Sequence, residues 1–316
     1  MTRTLNEPGL LPRLAVSFGL VMGSLWLADM ARGQEQRLPP VDEHEYSGAD
    51  SAEVDGAESA HHGLCWASKP MTEFVRFSNT EVQFQYGYLA APSFVGGQST
   101  ATRILTFQHA SNWRYGENFL FIDVLDDSLA DRFNDDDVYL EWYPALSLGR
   151  ILDRRIGCGL ISDVALIGGI NYGADANFVK WLPGIRWAWS LPGFAFLNTD
   201  FTAYLDASGG LQSGGAPAES DSFMIDVSWA YPITLGTQAF SVEGHAEFIG
   251  RRQNELGNDV SWWVLAQPQF RYDLGKALWG TPQKLFVGVE WQVWPNKLGD
   301  RATEENAVQA LAVLRL

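Results

Sequence analysis

From about residue 80 to its last residue, this chain alternates. In KLFVGVEWQVW (Lys284 to Trp294), Leu285, Val287, Val289, Trp291 and Val293 fall on one face. Lys284, Gly288, Glu290 and Gln292 fall on the other, with Phe286 the exception. A period of two is the signature of a strand with one oily and one polar side. A chain that repeats it many times is confined to sheet architectures. What remains open is the solvent on the oily side. In a soluble sandwich that side faces a core; in a membrane barrel it faces lipid, and the polar side faces an interior.

The pattern recurs. Val82, Phe84, Tyr86 and Tyr88 oppose Glu81, Gln83, Gln85 and Gly87. Val138, Leu140, Trp142, Leu146 and Leu148 oppose Tyr139, Glu141 and Ser147. Similar sets run through 178–190, 195–206, 222–231, 240–248 and 260–273, and the last is AVQALAVLRL. Segments near 101–111, 116–125 and 159–171 alternate less cleanly, and the faces of Gln108 and His109 stay undecided. The reading is about twelve strands of roughly 9 to 13 residues, the length a tilted strand needs to cross a bilayer. LPG (Leu191 to Gly193) and Leu235–Gly236 read as tight turns. NYGADAN (171–177), ASGGLQSGGAPAESD (207–221) and RRQNELGND (251–259) read as long polar loops. Short turns at one rim and long loops at the other are the barrel pattern. Trp181, Trp187, Trp189, Trp229, Tyr231, Trp262, Tyr272 and Trp291 on the oily faces suit the headgroup zone. Together these favour an all-β, transmembrane, up-and-down antiparallel barrel over the sandwich.

The rest of the chain divides accordingly. Residues 1–33 read as a cleavable signal peptide: Arg3 and Arg13, an apolar run from Leu14 to Ala28, and small residues at Ala31 and Gly33. The alternative is a membrane anchor, for which the run is short. Residues 34–75 read as an acidic extension without a core, and 76–316 as the barrel. Export with a barrel points to the outer membrane of a Gram-negative bacterium. The formal net charge is -16, with 22 Lys and Arg against 38 Asp and Glu. That balance sets nucleic acid aside as a partner. Cys65 and Cys158 either pair or are both free. His61 and His62 have no third ligand nearby, so no metal or other cofactor is expected.

Several stretches resemble the nucleoside-specific channel-forming family of outer-membrane proteins, Tsx and OmpK. They are LTFQHASNWRYGENFLFIDVLD (105–126), LEWYPALSL (140–148), WLPGIRWAWSLPGFAFLNTDFTAYLD (181–206), FRYDLGKALWG (270–280) and the C-terminal part from Leu285. The last includes an Asn-Lys-x-Gly loop at Asn296, Lys297 and Gly299. The resemblance covers roughly residues 80–316. It implies a monomeric twelve-stranded barrel with a narrow channel for nucleosides and other small polar solutes, some members also serving as phage or colicin receptors. Two features depart from the family: the acidic segment before residue 75, and a terminal Leu316 where such barrels end in Phe or Trp. The second bears on assembly efficiency.

The alternation assigns Glu81, Asp123, Asp137, Glu141, Asp163, Asp200, Asp206, Asp226, Glu243, Glu247 and Glu290 to the interior, against Lys180, Arg186, Arg271 and Lys284. Carboxylates accept from ribose hydroxyls and base amines, and Tyr139, Tyr204 and Trp263 offer stacking faces. The candidate lumen contacts are therefore Asp123, Tyr139, Glu141, Arg186, Asp200, Tyr204, Asp226, Glu243, Trp263, Arg271 and Glu290. Each has a plainer alternative as one half of a structural acid–base pair. His109 with Ser111, and His245 with Ser228 or Ser241, sit in no nucleophile motif, so catalysis is not expected. A passive channel and a closed barrel presenting loops 207–221 and 251–259 as a receptor are the two functions left.

Overall fold

The computed structural model describes residues 74–129 and 133–316. The signal peptide, nearly all of the acidic extension, the His61–His62 pair and Cys65 lie outside the described residues. Cys158 is exposed in a loop.

Twelve strands follow one another. β1 is Val75–Ala90, β2 Ser99–Trp113, β3 Gly116–Asp127, β4 Asp137–Ser147, β5 Ile161–Gly173 and β6 Phe178–Trp189. β7 is Phe196–Asp206, β8 Ser222–Leu235 and β9 Gln238–Ile249. β10 runs in two pieces, Trp263–Ala266 and Gln269–Asp273, split at Gln267 and Pro268, where proline supplies no ladder donor. β11 is Leu285–Pro295 and β12 Glu304–Arg315. Each strand pairs antiparallel with the next, and β1 pairs with β12 from Glu81↔Arg315 to Tyr86↔Ala310. The ladder therefore closes, leaving no sheet edge, as a strand structure in lipid requires.

The register fixes which face is which. Phe84, Leu105, Leu166, Phe223 and Val308 point outward, each about half exposed or more. Their neighbours on the inner face are buried, among them Glu81, Gln83, Thr102, Asn171 and Gln309. An apolar belt outside and polar groups inside is the inverse of a soluble core and defines a membrane-spanning barrel. The eight Trp and Tyr expected on the oily face all fall on it. Glu81↔Gln108 and Thr80↔His109 settle the undecided pair: Gln108 faces in, His109 faces out against the Thr80 hydroxyl.

The rims depart from expectation in two places. The first three residues of NYGADAN are strand, because Asn171 pairs with Glu141 and Gly173 with Tyr139, so the loop shrinks to 174–177. At the rim carrying the start of β1 and Leu316, the connections 114–115, 190–195 and 236–237 are short. Two others at that rim carry helices, α1 (Leu148–Ile151) and α2 (Leu274–Trp279), capped by the Ser147 and Asp273 side chains. We call this the inner rim, because short turns mark the periplasmic side of such barrels. The opposite rim holds the longer connections, including a small hairpin of Arg252–Gln253 with Asp259–Val260.

Phe286 also finds its reason. It faces inward, packed with Leu311 and Val313, and the Arg315 guanidinium lies 4.8 Å from its ring centre. Leu316 is half exposed, and its N–H donates to Thr80 O at 2.9 Å.

Candidate functional site

The interior is the candidate site, and its side chains sort into layers. Toward the inner rim lie closed ion-pair groups. Arg186 on β6 forms a fork with Asp200 on β7, Nε to Oδ1 at 2.7 Å and Nη2 to Oδ2 at 2.6 Å. Its Nη1 reaches Glu117 on β3 at 2.6 Å. Arg271 on β10 joins Glu81 at 3.0 Å and Glu243 at 3.1 Å, and Arg315 closes on Glu81 at 2.5 Å. In these groups every carboxylate has a guanidinium partner, which is what a buried charge requires. Arg186, Asp200, Glu243 and Arg271 are thus placed in structural pairs.

Toward the outer rim a second lock forms. Lys180 bonds Asp206 at 3.1 Å and Glu219 at 2.7 Å, and Arg252 bonds the same Glu219 at 2.6 Å. Arg252 also covers aromatic faces, 4.2 Å from the Trp263 ring centre and 5.2 Å from that of Tyr204. Lys180 lies 5.4 Å from Tyr204. Two of the three faces that the sequence offered for stacking, Tyr204 and Trp263, are held by cations of the protein itself, and Tyr139 packs against Phe121 and Phe178.

Between these layers the balance changes. Asp123 (β3), Glu141 (β4), Asp226 (β8), Glu247 (β9) and Glu290 (β11) all point inward from different sides of the barrel. Asp123 lies within electrostatic reach of Glu290, Glu141 and His245, and Glu247 within reach of Glu141, His245 and Asp226. None of the five has a Lys or Arg within ion-pair distance among the described residues; His245 reaches Asp226 at 3.1 Å. His245 gives Nδ1 to Asp226 and Nε2 to Gln267 Oε1 at 2.9 Å. Asp226 and the Gln267 carbonyl are both acceptors, an arrangement that a doubly protonated imidazole satisfies.

Amides and hydroxyls join the ring. Thr106 donates to Asp123 at 2.5 Å and also contacts Gln85, which donates to Glu290 at 3.1 Å. Gln269 and Gln309 donate to Glu290 at 2.7 and 2.9 Å. Gln267 bridges Glu290 and Gln292. On the far wall Tyr139 donates to Glu141, which also accepts from Asn171 at 2.9 Å. Of the candidates, Asp123, Tyr139, Glu141, Asp226 and Glu290 are brought into this layer. Glu247, His245 and the glutamines were not singled out from sequence as contacts. The alternate glutamines at 83 and 85, and at 267 and 269, were the available signal.

The layer is closely filled. Gln83, Gln309 and Asn171 are at most 1% exposed. Below it, small residues Ala145, Ala165, Ala188 and Gly116 leave a cavity of about 500 Å3 at the inner mouth, also lined by Arg150 and Arg186.

The Asn-Lys-x-Gly loop has a structural role. Asn296, Leu298 and Gly299 take left-handed φ of 52°, 54° and 80°. This turns Lys297 inward, where its Nζ donates to Ala90 O at 2.7 Å and pairs with Glu305 at 2.9 Å.

No protein-family model matches this chain, and no curated protein matches it. Among solved structures it is similar to the KdgM porin, at 7% identity and a TM-score of 0.40, over 74% of this chain and 98% of that one. It is similar to the COG4313 outer membrane channel from Pseudomonas putida F1, at 10% identity and a TM-score of 0.42, over 78% and 97%. It is also similar to OccK11 (OpdR) from Pseudomonas aeruginosa, at 11% identity and a TM-score of 0.27, over 77% and 97%. The fold itself follows from the closed register of this chain.

Proposed function

We propose that this chain is a monomeric outer-membrane channel of a Gram-negative bacterium, passing small polar solutes by diffusion, with neutral and cationic solutes favoured and nucleosides among them. One observation carries the reading: five inward carboxylates face one another at mid-barrel, and among the described residues no Lys or Arg pairs with any of them. Unpaired buried charge works against folding, and ionisable groups at membrane depth mark solute pathways. A ring of carboxylates sets preference for cations over anions. The resemblance noted above supplies nucleosides as the solute class; ribose hydroxyls and base amines are donors suited to Asp123, Glu141 and Glu290.

The test is nucleoside uptake into liposomes carrying the refolded protein, with a disaccharide as control. Faster nucleoside than sugar uptake is expected. Equal uptake would reduce the reading to a general small pore.

A second reading rests on a separate observation. The mid-barrel glutamines are buried and bonded to one another, as in a barrel that stays shut. A closed barrel would present its outer loops as a receptor for phage or colicin. Folded protein without any flux would favour it.

A further inference from the structure

The inner rim holds a cluster that the lumen chemistry does not use. Arg76 is the extra residue in a bulge of β1, between Val75 opposite Trp113 and Phe77 opposite Asn112. Its Nε and Nη2 are buried without a hydrogen-bond partner, and so is the indole Nε1 of Trp113. Arg150, in the last turn of α1, is anchored beside them. Its Nη1 donates to Asn112 Oδ1 at 2.6 Å, Trp113 O at 3.0 Å and Gly116 O at 2.8 Å. Its Nε and Nη2 bond no acceptor among the described residues and are not buried. The two guanidinium groups lie close enough to repel. Neither they nor Arg114 forms an ion pair among the described residues.

The nearby acids are otherwise engaged. Glu117 is bound to Arg186, and Asp163 accepts from Ser147, Gly149 and Val164. Asp153 is exposed in the loop after α1. Arg76 and the indole thus hold buried donors with no acceptor, and Arg150 sets a second cation beside Arg76, an arrangement unfavourable as it stands. A tetrahedral oxyanion between them answers both problems, neutralising the repulsion and accepting charge-assisted hydrogen bonds. The setting is aromatic: Phe74 and Tyr115 pack against Trp113 at 5.9 and 5.8 Å, and Arg114 lies 5.2 Å from the Tyr115 ring. Such residues mark the headgroup level of a bilayer.

We propose that Arg76, Arg150 and the Trp113 indole form a binding site at the inner rim for a phosphate-class oxyanion, either a phospholipid headgroup or free phosphate. The site is independent of conduction, and its readout is binding.

The experiment uses refolded protein in a phosphate-free neutral detergent, titrated with inorganic phosphate and followed by 31P line broadening. A second arm titrates short-chain phosphatidylglycerol against a diacylglycerol of the same chains. Binding of both phosphate and phosphatidylglycerol, or of the phospholipid alone, would make the headgroup the source. Phosphate alone would make it a free anion. In any of these, Arg76→Gln is expected to weaken binding about tenfold or more, as loss of a charge-assisted contact does. Arg76 makes no side-chain hydrogen bond or ion pair among the described residues, so this variant is expected to fold. Trp113→Phe, which keeps the ring and removes the donor, is expected to weaken binding by several-fold and serves should Arg76→Gln misfold. Arg103→Gln, in the exposed Arg103–Asp126 pair at the other rim, is expected to change nothing. No binding of either probe, or undiminished binding to Arg76→Gln and Trp113→Phe, would overturn the site.

Discussion

Asp200 and Asp300 show how differently single carboxylates contribute. Asp200 takes both ends of the Arg186 fork in a buried setting. Asp200→Ala leaves Arg186 with Glu117 alone, and removing one partner of a buried pair costs ~3–5 kcal/mol. Urea unfolding from lipid vesicles should read a loss toward the lower end of that range. Burial pushes the carboxyl of Asp300, in the outer loop, upward. Hydrogen bonds from Ser93 N at 2.8 Å, Thr303 Oγ1 at 2.5 Å and Ala302 N at 3.0 Å outweigh this and hold its carboxyl at about 2. A depressed carboxyl stabilises the fold above its unfolded value of about 3.9 and loses that contribution as pH falls through its folded value. The Ser93 amide should therefore stay protected from hydrogen exchange near pH 4 and lose protection near pH 2. Loss of protection already at pH 4 would show that Asp300 does not hold the loop.

The strands explain why most of the fold was legible and part of the site was not. Alternation alone placed Val289 outside and Glu290 inside, because a strand has no third direction. Val289→Lys should cost ~2–4 kcal/mol if it lies near the bilayer midplane, whereas a soluble sandwich would show loss of a core contact instead. Close strand approach is also specific: a Cβ at Gly288 would meet Phe270 O at 1.9 Å, and at Gly184 would meet Phe201 O at 2.1 Å. Gly288→Ala is expected to destabilise by ~1–3 kcal/mol, the usual range for overpacking, measured by the same unfolding assay. What periodicity does not carry is distance across the interior. Tyr204 and Trp263 were read as stacking faces because nothing in their own strands announces Arg252, which arrives from the segment after β9. Asn171 and Tyr172 looked like loop because Gly and Asn are turn formers, but pairing with β4 overrides that preference. Phe286 breaks the pattern because Arg315, on the neighbouring strand β12, gives it an inward partner.

At the scale of the barrel, most inward carboxylates sort into layers: held by Arg or Lys toward both rims, and without Arg or Lys at the middle. That layering is the central claim of the proposed channel reading, in which paired charges serve the fold and the middle layer serves a solute. The most direct measurement is the reversal potential of single channels in a planar bilayer under a potassium chloride gradient, for the parent and for Asp123→Asn/Glu141→Gln/Glu290→Gln. The account expects a cation-selective parent and a variant that folds but loses most of that selectivity. A folded parent that never conducts, or a variant with unchanged selectivity, would contradict it.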